Sequence, residues 1–100
     1  KDYKLKSINV LPGESLSLQS HEYRQENWII VDGEATVELD GEKTILSKGN
    51  SIFIPIKSKH RLSNFGMKNL TIIEVQTGTY FGEDDIIRYE DDYGREDIDE

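Results

Sequence analysis

Period-2 alternation and short apolar runs dominate this chain, and no useful stretch spaces its apolar residues as an amphipathic helix would. Tyr3 to Val10 alternates weakly and stops at Pro12-Gly13, a turn pair. Ser15 to Ser20 alternates strictly, with Leu16 and Leu18 on one face. Trp28-Ile29-Ile30-Val31 reads as a buried strand run closed by Asp32-Gly33. Ala35, Val37 and Leu39 alternate with Thr36 and Glu38. Asp40-Gly41 then predicts a type I′ hairpin that pairs Glu42 to Leu46 back on that strand. After Gly49 come Ile52-Phe53-Ile54, ended by Pro55, then His60 to Ser63, then Asn69 to Gln76. About eight short strands with closely spaced turns predict an all-β sandwich or barrel.

A length of 100 residues leaves room for one domain. Apolar residues make up 35% and charged ones 32%, which predicts a modest core under a well-charged surface. The chain has no cysteine, so disulfides, thiolate metal sites and cysteine nucleophiles are excluded, and a reducing cytoplasm is the expected location. No apolar run approaches the roughly 20 residues that span a bilayer, and no signal-peptide pattern opens the chain, so no membrane partner is expected. The first residue is Lys1 rather than Met, which reads as a piece of a longer protein.

The net charge of −8 is unevenly placed. Residues 1–82 hold ten acidic and ten basic side chains, whereas residues 83–100 hold ten acidic and two basic ones. The expected organisation is therefore a domain over 1–95 and a solvated, disordered acidic tail over 96–100. An acidic chain without a basic stripe does not suit nucleic acid, whose phosphates dominate affinity.

Only two histidines are present, His21 and His60, both near strand ends, where a barrel points side chains into its mouth. Gln19 precedes His21 by two residues and shares its strand face. Glu26 follows His21 after a short turn and is able to return on the neighbouring strand. An imidazole, a carboxylate and an amide oxygen suit Zn, Mn, Fe, Co or Ni, and His60 is the only other imidazole for a further ligand position. Taken alone, the two histidines read as structural residues, and a surface charge paired with Arg24 is the alternative for Glu26.

Motif spacing changes that balance. Gly13, five residues, Gln19, Ser20, His21, four residues, Glu26, six residues, Gly33 resembles the first cupin motif. Gly49, five residues, Pro55, four residues, His60, three residues, Asn64 resembles the second. The usual pattern has His where Gln19 stands and Gly where Lys57 stands; the second departure reads as a turn difference. Leu16 to His21 with Arg24, Glu26 and Trp28, then Ile54-Pro55 with His60-Arg61-Leu62 and Asn64, carry the resemblance further. So do Ile73 to Gly78, Gly82 to Ile86, Arg88 and Asp92 to Arg95. Together they resemble the C-terminal domain of type II phosphomannose isomerases, a domain that usually follows a mannose-1-phosphate guanylyltransferase domain.

The resemblance implies a cupin fold, that is, a double-stranded β-helix or jelly-roll barrel. It implies one divalent ion, Zn, Mn or Co, on Gln19, His21, Glu26 and His60. The implied activity is isomerisation of mannose 6-phosphate and fructose 6-phosphate through an enediol, with a sugar phosphate as the small-molecule partner. The family's Arg-Pro-Trp-Gly stretch before the first strand is absent. That absence favours the alternative, a non-catalytic metal- or sugar-binding module serving oligomerisation or regulation.

An enediol route needs a Lewis acid, a base and a cation for the phosphate. Leu70, Ile72, Glu74 and Gln76 share one strand face, and the polar pair ends an apolar row, which makes Glu74 the candidate base. Arg88, a lone base in an acidic segment and within a family-like motif, is the candidate for phosphate or transition-state charge. Arg61, Lys57 and Arg24 are further substrate-binding candidates, Arg suiting bidentate phosphate contact better than Lys. Open strand edges in a small barrel lead to the expectation of a homodimer.

Overall fold

The computed structural model describes residues 3–89, whose regular structure is entirely β. Nine strands follow in order: β1 (Tyr3–Val10), β2 (Gln19–Ser20), β3 (Arg24–Asp32), β4 (Glu34–Leu39), β5 (Glu42–Ser47), β6 (Ser51–Ile54), β7 (His60–Ser63), β8 (Leu70–Gly78) and β9 (Ile87–Arg88). They form two antiparallel sheets, one in the order β1-β8-β3-β6 and the other β5-β4-β7-β2-β9. Among the described residues no helix is long and apolar enough to cross a membrane.

The core lies between the sheets, where Val10, Ile30, Val37, Ile54, Leu62 and Ile72 are almost fully buried. Each such side chain contributes about 1.5–3 kcal/mol by leaving water. The inner face of the first sheet changes character along its length. On β8, Leu70 and Ile72 give way to Glu74 and Gln76. On β3, Ile30 and Trp28 give way to Glu26 and Arg24. On β1, Val10 and Ile8 give way to Lys6 and Lys4. The ladder keeps these changes in step: Ile8 lies opposite Ile72, Lys6 and Trp28 flank Glu74, and Lys4 and Glu26 flank Gln76. One end of the barrel is therefore apolar and the other carries charge.

Two turns show why the chain needs particular residues. Asp40 and Gly41 both have positive φ, 49° and 90°, as a type I′ hairpin requires, and Leu39 pairs with Glu42 across it. Gly78 ends β8 at φ 150°, and a Cβ there would overlap the Tyr23 carbonyl oxygen. Its absence lets β8 close against the start of β3 beside the charged end.

Three strand expectations are corrected. Trp28 to Val31 is not buried throughout: Trp28 and Ile30 point inward, while Ile29 and Val31 are 41% and 42% exposed. The register slips between Ile30 and Asp32, so the run is a half-buried strand with a bulge at its end. Ser15 to Ser20 is not one strand either. Ser15 makes an isolated bridge to Ser63, and regular pairing resumes only at Gln19. Between them the Gln19 side-chain amide donates to the Ser17 carbonyl and hydroxyl, a local alternative to the ladder. The strand not foreseen is β9, which pairs with β2. The expected tail at 96–100 and the Asp92 to Arg95 motif lie outside the described residues.

Candidate metal centre

At the charged end, β2 and β7 lie side by side with Gln19 in register with His60. His21 follows β2 directly, and Glu26 projects inward from β3. One donor atom from each of His21, Glu26 and His60 lies within 4.8 Å of the others. All three residues are buried, at 3%, 2% and 3% exposure. The two imidazoles stack with centroids 5.2 Å apart, and Trp28 meets the His60 ring edge-on at 5.6 Å.

Surrounding groups fix each donor. The Glu26 carboxylate accepts from Arg24 Nε at 3.0 Å and from Trp28 Nε1 at 2.9 Å. His21 Nδ1 faces the same carboxylate at 3.6 Å, and Arg24 Nη2 sits 3.0 Å from His21 Nε2. Because a guanidinium only donates, His21 Nε2 accepts there and the ring is neutral. His60 Nδ1 donates to the Ser58 carbonyl at 3.2 Å, which leaves Nε2 as its ligand atom. The turn carrying His21 is held from two sides. Asp85 accepts from the Glu22 and Tyr23 amides, and the Lys57 amide donates to the His21 carbonyl.

Burial, with Arg24 second, pushes the His21 pKa down to about 4. Burial lowers that of His60 as well. Both rings are thus kept in the unprotonated form that a metal requires. Glu74 moves the other way: burial first, then the Glu26 carboxylate, raise its pKa, opposed by a hydrogen bond from Gln76. Two neutral imidazoles and one carboxylate in a buried cluster, with the half-buried Gln19 carboxamide in register beside His60, form a donor set that fits a divalent cation.

A cavity of about 280 Å³ opens beside this cluster. Gln19, Glu26 and His60 contribute to its wall, as do Glu74, Arg61 and Arg88. Arg24 also reaches it, but its donors are engaged by Glu26, His21 and the Gly82 carbonyl, so it holds the cluster together. Arg61 is buried, 3.5 Å from Glu38. Arg88 sits on β9 in register with Gln19 and makes no ion pair among the described residues. Lys57 does not line this cavity. It occupies an exposed turn at φ 70°, a left-handed conformation that suits the glycine of the usual motif. Sequence reasoning passed over Lys6 and Glu83, both on the cavity wall. Lys6 was accessible through its period-2 spacing from Ile8 and Val10, whereas Glu83 lies in a turn with no periodic signal.

A family model described as mannose-6-phosphate isomerase C-terminal matches residues 1–91. The chain belongs to that family. It is 54% identical over 93 residues to the alginate biosynthesis protein AlgA of Pseudomonas putida, covering 93% of this chain and 19% of that protein. It is 50% identical over 93 residues to a mannose-1-phosphate guanylyltransferase of Salmonella montevideo, covering 93% and 20%. The chain thus spans about a fifth of the length of these relatives. Among solved structures, a double-stranded β-helix protein from Klebsiella pneumoniae superposes with a TM-score of 0.78 at 21% identity, over 89% of this chain and 76% of that one. A cupin protein from Bacteroides fragilis gives 0.73 at 20% identity, over 83% and 71%. The fold is a cupin, as the motifs implied.

These relatives correct the functional expectation. The chain was expected to be an isomerase domain interconverting mannose 6-phosphate and fructose 6-phosphate. The relatives it matches are instead named for guanylyl transfer to mannose 1-phosphate and for alginate biosynthesis, and the chain makes up only 19–20% of them.

Proposed function

We propose that this chain is the cupin module of a longer, cytoplasmic mannose-activating enzyme that also carries a nucleotidyltransferase domain. In this reading the module holds one divalent ion, Zn, Mn or Co, and receives a phosphorylated sugar in the cavity beside it. The observation that carries the reading is the buried trio His21, Glu26 and His60, with donor atoms within 4.8 Å of one another. Gln19, across the ladder from His60, supplies the fourth donor. Bound there, the ion supplies Lewis acidity toward sugar oxygens. Arg88 and Arg61 supply positive charge on the same wall, which Glu74 also lines.

Calorimetric titration of the chelator-stripped chain with Zn, Mn and Co tests this. One equivalent is expected to bind, and uptake is expected to vanish in His21→Ala and in His60→Ala. No binding by the wild-type chain, or uptake by both variants undiminished from wild type, would refute the reading.

A second feature favours assembly. The outer face of the first sheet carries Tyr3, Leu5, Ile29 and Phe53 at 41–59% exposure, and Leu5, Val75, Asn27 and Phe53 form one row across its four strands. A face this apolar, on a domain whose residues 1–82 carry balanced charge, suits a second copy of itself. Light scattering should give about twice the 11.5 kDa chain mass; the monomer mass would refute the homodimer.

A further inference from the structure

Lys6 projects inward from β1 beside Glu74 and lines the cavity together with Glu83 and Arg88. Its ammonium lies 3.5 Å from Glu83 Oε2, and the ammonium of Lys4, two residues along the same strand face, lies 3.4 Å from the same oxygen. Both contacts are long, and the side chains are 36–40% exposed for the lysines and 65% for the glutamate. Such a bridge is weak, at most about 1 kcal/mol. The inner cations differ: Arg24 is tied to buried Glu26, and Arg61 lies beside Glu38. At the rim, then, two lysines converge on one carboxylate oxygen that is itself free to swing into solvent.

We propose that Lys6 and Lys4 form an anion subsite that Glu83 fills as an internal counter-ion and that the phosphate of a phosphorylated sugar takes over. The proposal rests on the reading of the cavity as a sugar-phosphate site and adds the residues that hold the phosphate. A phosphate dianion carries more charge and more acceptor oxygens than a carboxylate, so it outcompetes Glu83 for two ammonium groups. The turn that carries Glu83 stays in place, because Asp85 anchors it to the Glu22 and Tyr23 amides and Arg24 donates to the Gly82 carbonyl. Only the Glu83 side chain has to move. No bond is made or broken; one anion replaces another.

The test is a phosphate titration of the chelator-stripped 100-residue chain, so that no metal contributes to anion binding. Glu83→Gln removes the competitor and should tighten inorganic phosphate binding by about threefold or more, whereas Lys6→Gln should weaken it about tenfold, the loss of one charged hydrogen bond. The deciding measurement is the cycle. If Glu83 acts by occupying the lysines, the gain from Glu83→Gln disappears in a Lys4→Gln/Lys6→Gln background. A gain of equal size in both backgrounds would mean a general field effect and would overturn the subsite, as would phosphate affinity indifferent to Lys6. Mannose 1-phosphate should bind more tightly than inorganic phosphate; equal affinities would assign the subsite to free phosphate and overturn the sugar ester. Metal titration separates this from the parent reading. A chain that binds phosphate with these signs but takes up no metal keeps the subsite and loses the metal centre. A chain that takes up metal while its phosphate affinity ignores Lys6 does the reverse.

Discussion

Replacing Glu26 with Gln is the most informative single perturbation of the cluster. The carboxylate is 2% exposed and accepts from two donors, Arg24 Nε and Trp28 Nε1, one on each oxygen. A carboxamide has the same shape but turns one acceptor into a donor, so one of those N–H groups meets another N–H. It also removes the charge that, among the described residues, forms the ion pair with Arg24, which is itself 5% exposed. Breaking a buried pair from one side costs about 3–5 kcal/mol. That is a large share of the roughly 5–15 kcal/mol that holds a domain together. At this chain length it corresponds to a fall in Tm of roughly 15–30 °C.

Urea denaturation of the chelator-stripped chain measures the loss directly. The companion variants are Arg24→Met and the double Arg24→Met/Glu26→Gln. Each single change strands a buried charge, whereas the double change strands none. The double variant should therefore lose about 2–3 kcal/mol, well under the sum of the singles. If Glu26→Gln stays within about 1 kcal/mol of wild type, or if the two losses simply add, Glu26 and Arg24 are not the coupled buried pair described here.

Two further perturbations follow from the same geometry. The His21 pKa is lowered to about 4 from 6.5, so between these values the unfolded chain binds a proton that the folded one refuses. Wild type should consequently lose stability relative to a His21→Asn variant as pH falls from about 6.5 to about 4; parallel stability curves over that window would show that the ring is not desolvated. Lys57→Gly relieves a left-handed conformation worth about 1–2 kcal/mol but adds about 0.5–1 kcal/mol of backbone freedom to the unfolded chain, so Tm should rise by a few degrees. A fall in Tm would mean that the Lys57 side chain stabilises its turn.

Much of this was readable from residue order. Alternation located most strands, because a half-buried sheet imposes period 2, and Asp40-Gly41 specified its hairpin because few residue pairs tolerate two positive φ angles. Motif spacing brought Gln19, His21, Glu26 and His60 to one region, where the folded chain also puts them. The misses have physical causes. Trp28 to Val31 looked doubly buried because its outward residues are also apolar, and sequence alone does not distinguish a core face from an exposed apolar one. The break within Ser15 to Ser20 arises from side-chain hydrogen bonds that leave no periodic trace. Arg24 reaches the cavity wall, and its three-way engagement with Glu26, His21 and Gly82 depends on a turn that residue spacing does not encode. Lys57 lies in an exposed turn at positive φ and is not among the residues of the cavity wall.

The central claim is that one cation sits among Gln19, His21, Glu26 and His60. Anomalous diffraction from a crystal of the cobalt-loaded chain tests it most directly. One strong peak is expected at about 2.0–2.2 Å from a nitrogen of each histidine and an oxygen of Glu26. A peak bound elsewhere, or none at this cluster in a chain saturated with cobalt, would contradict it.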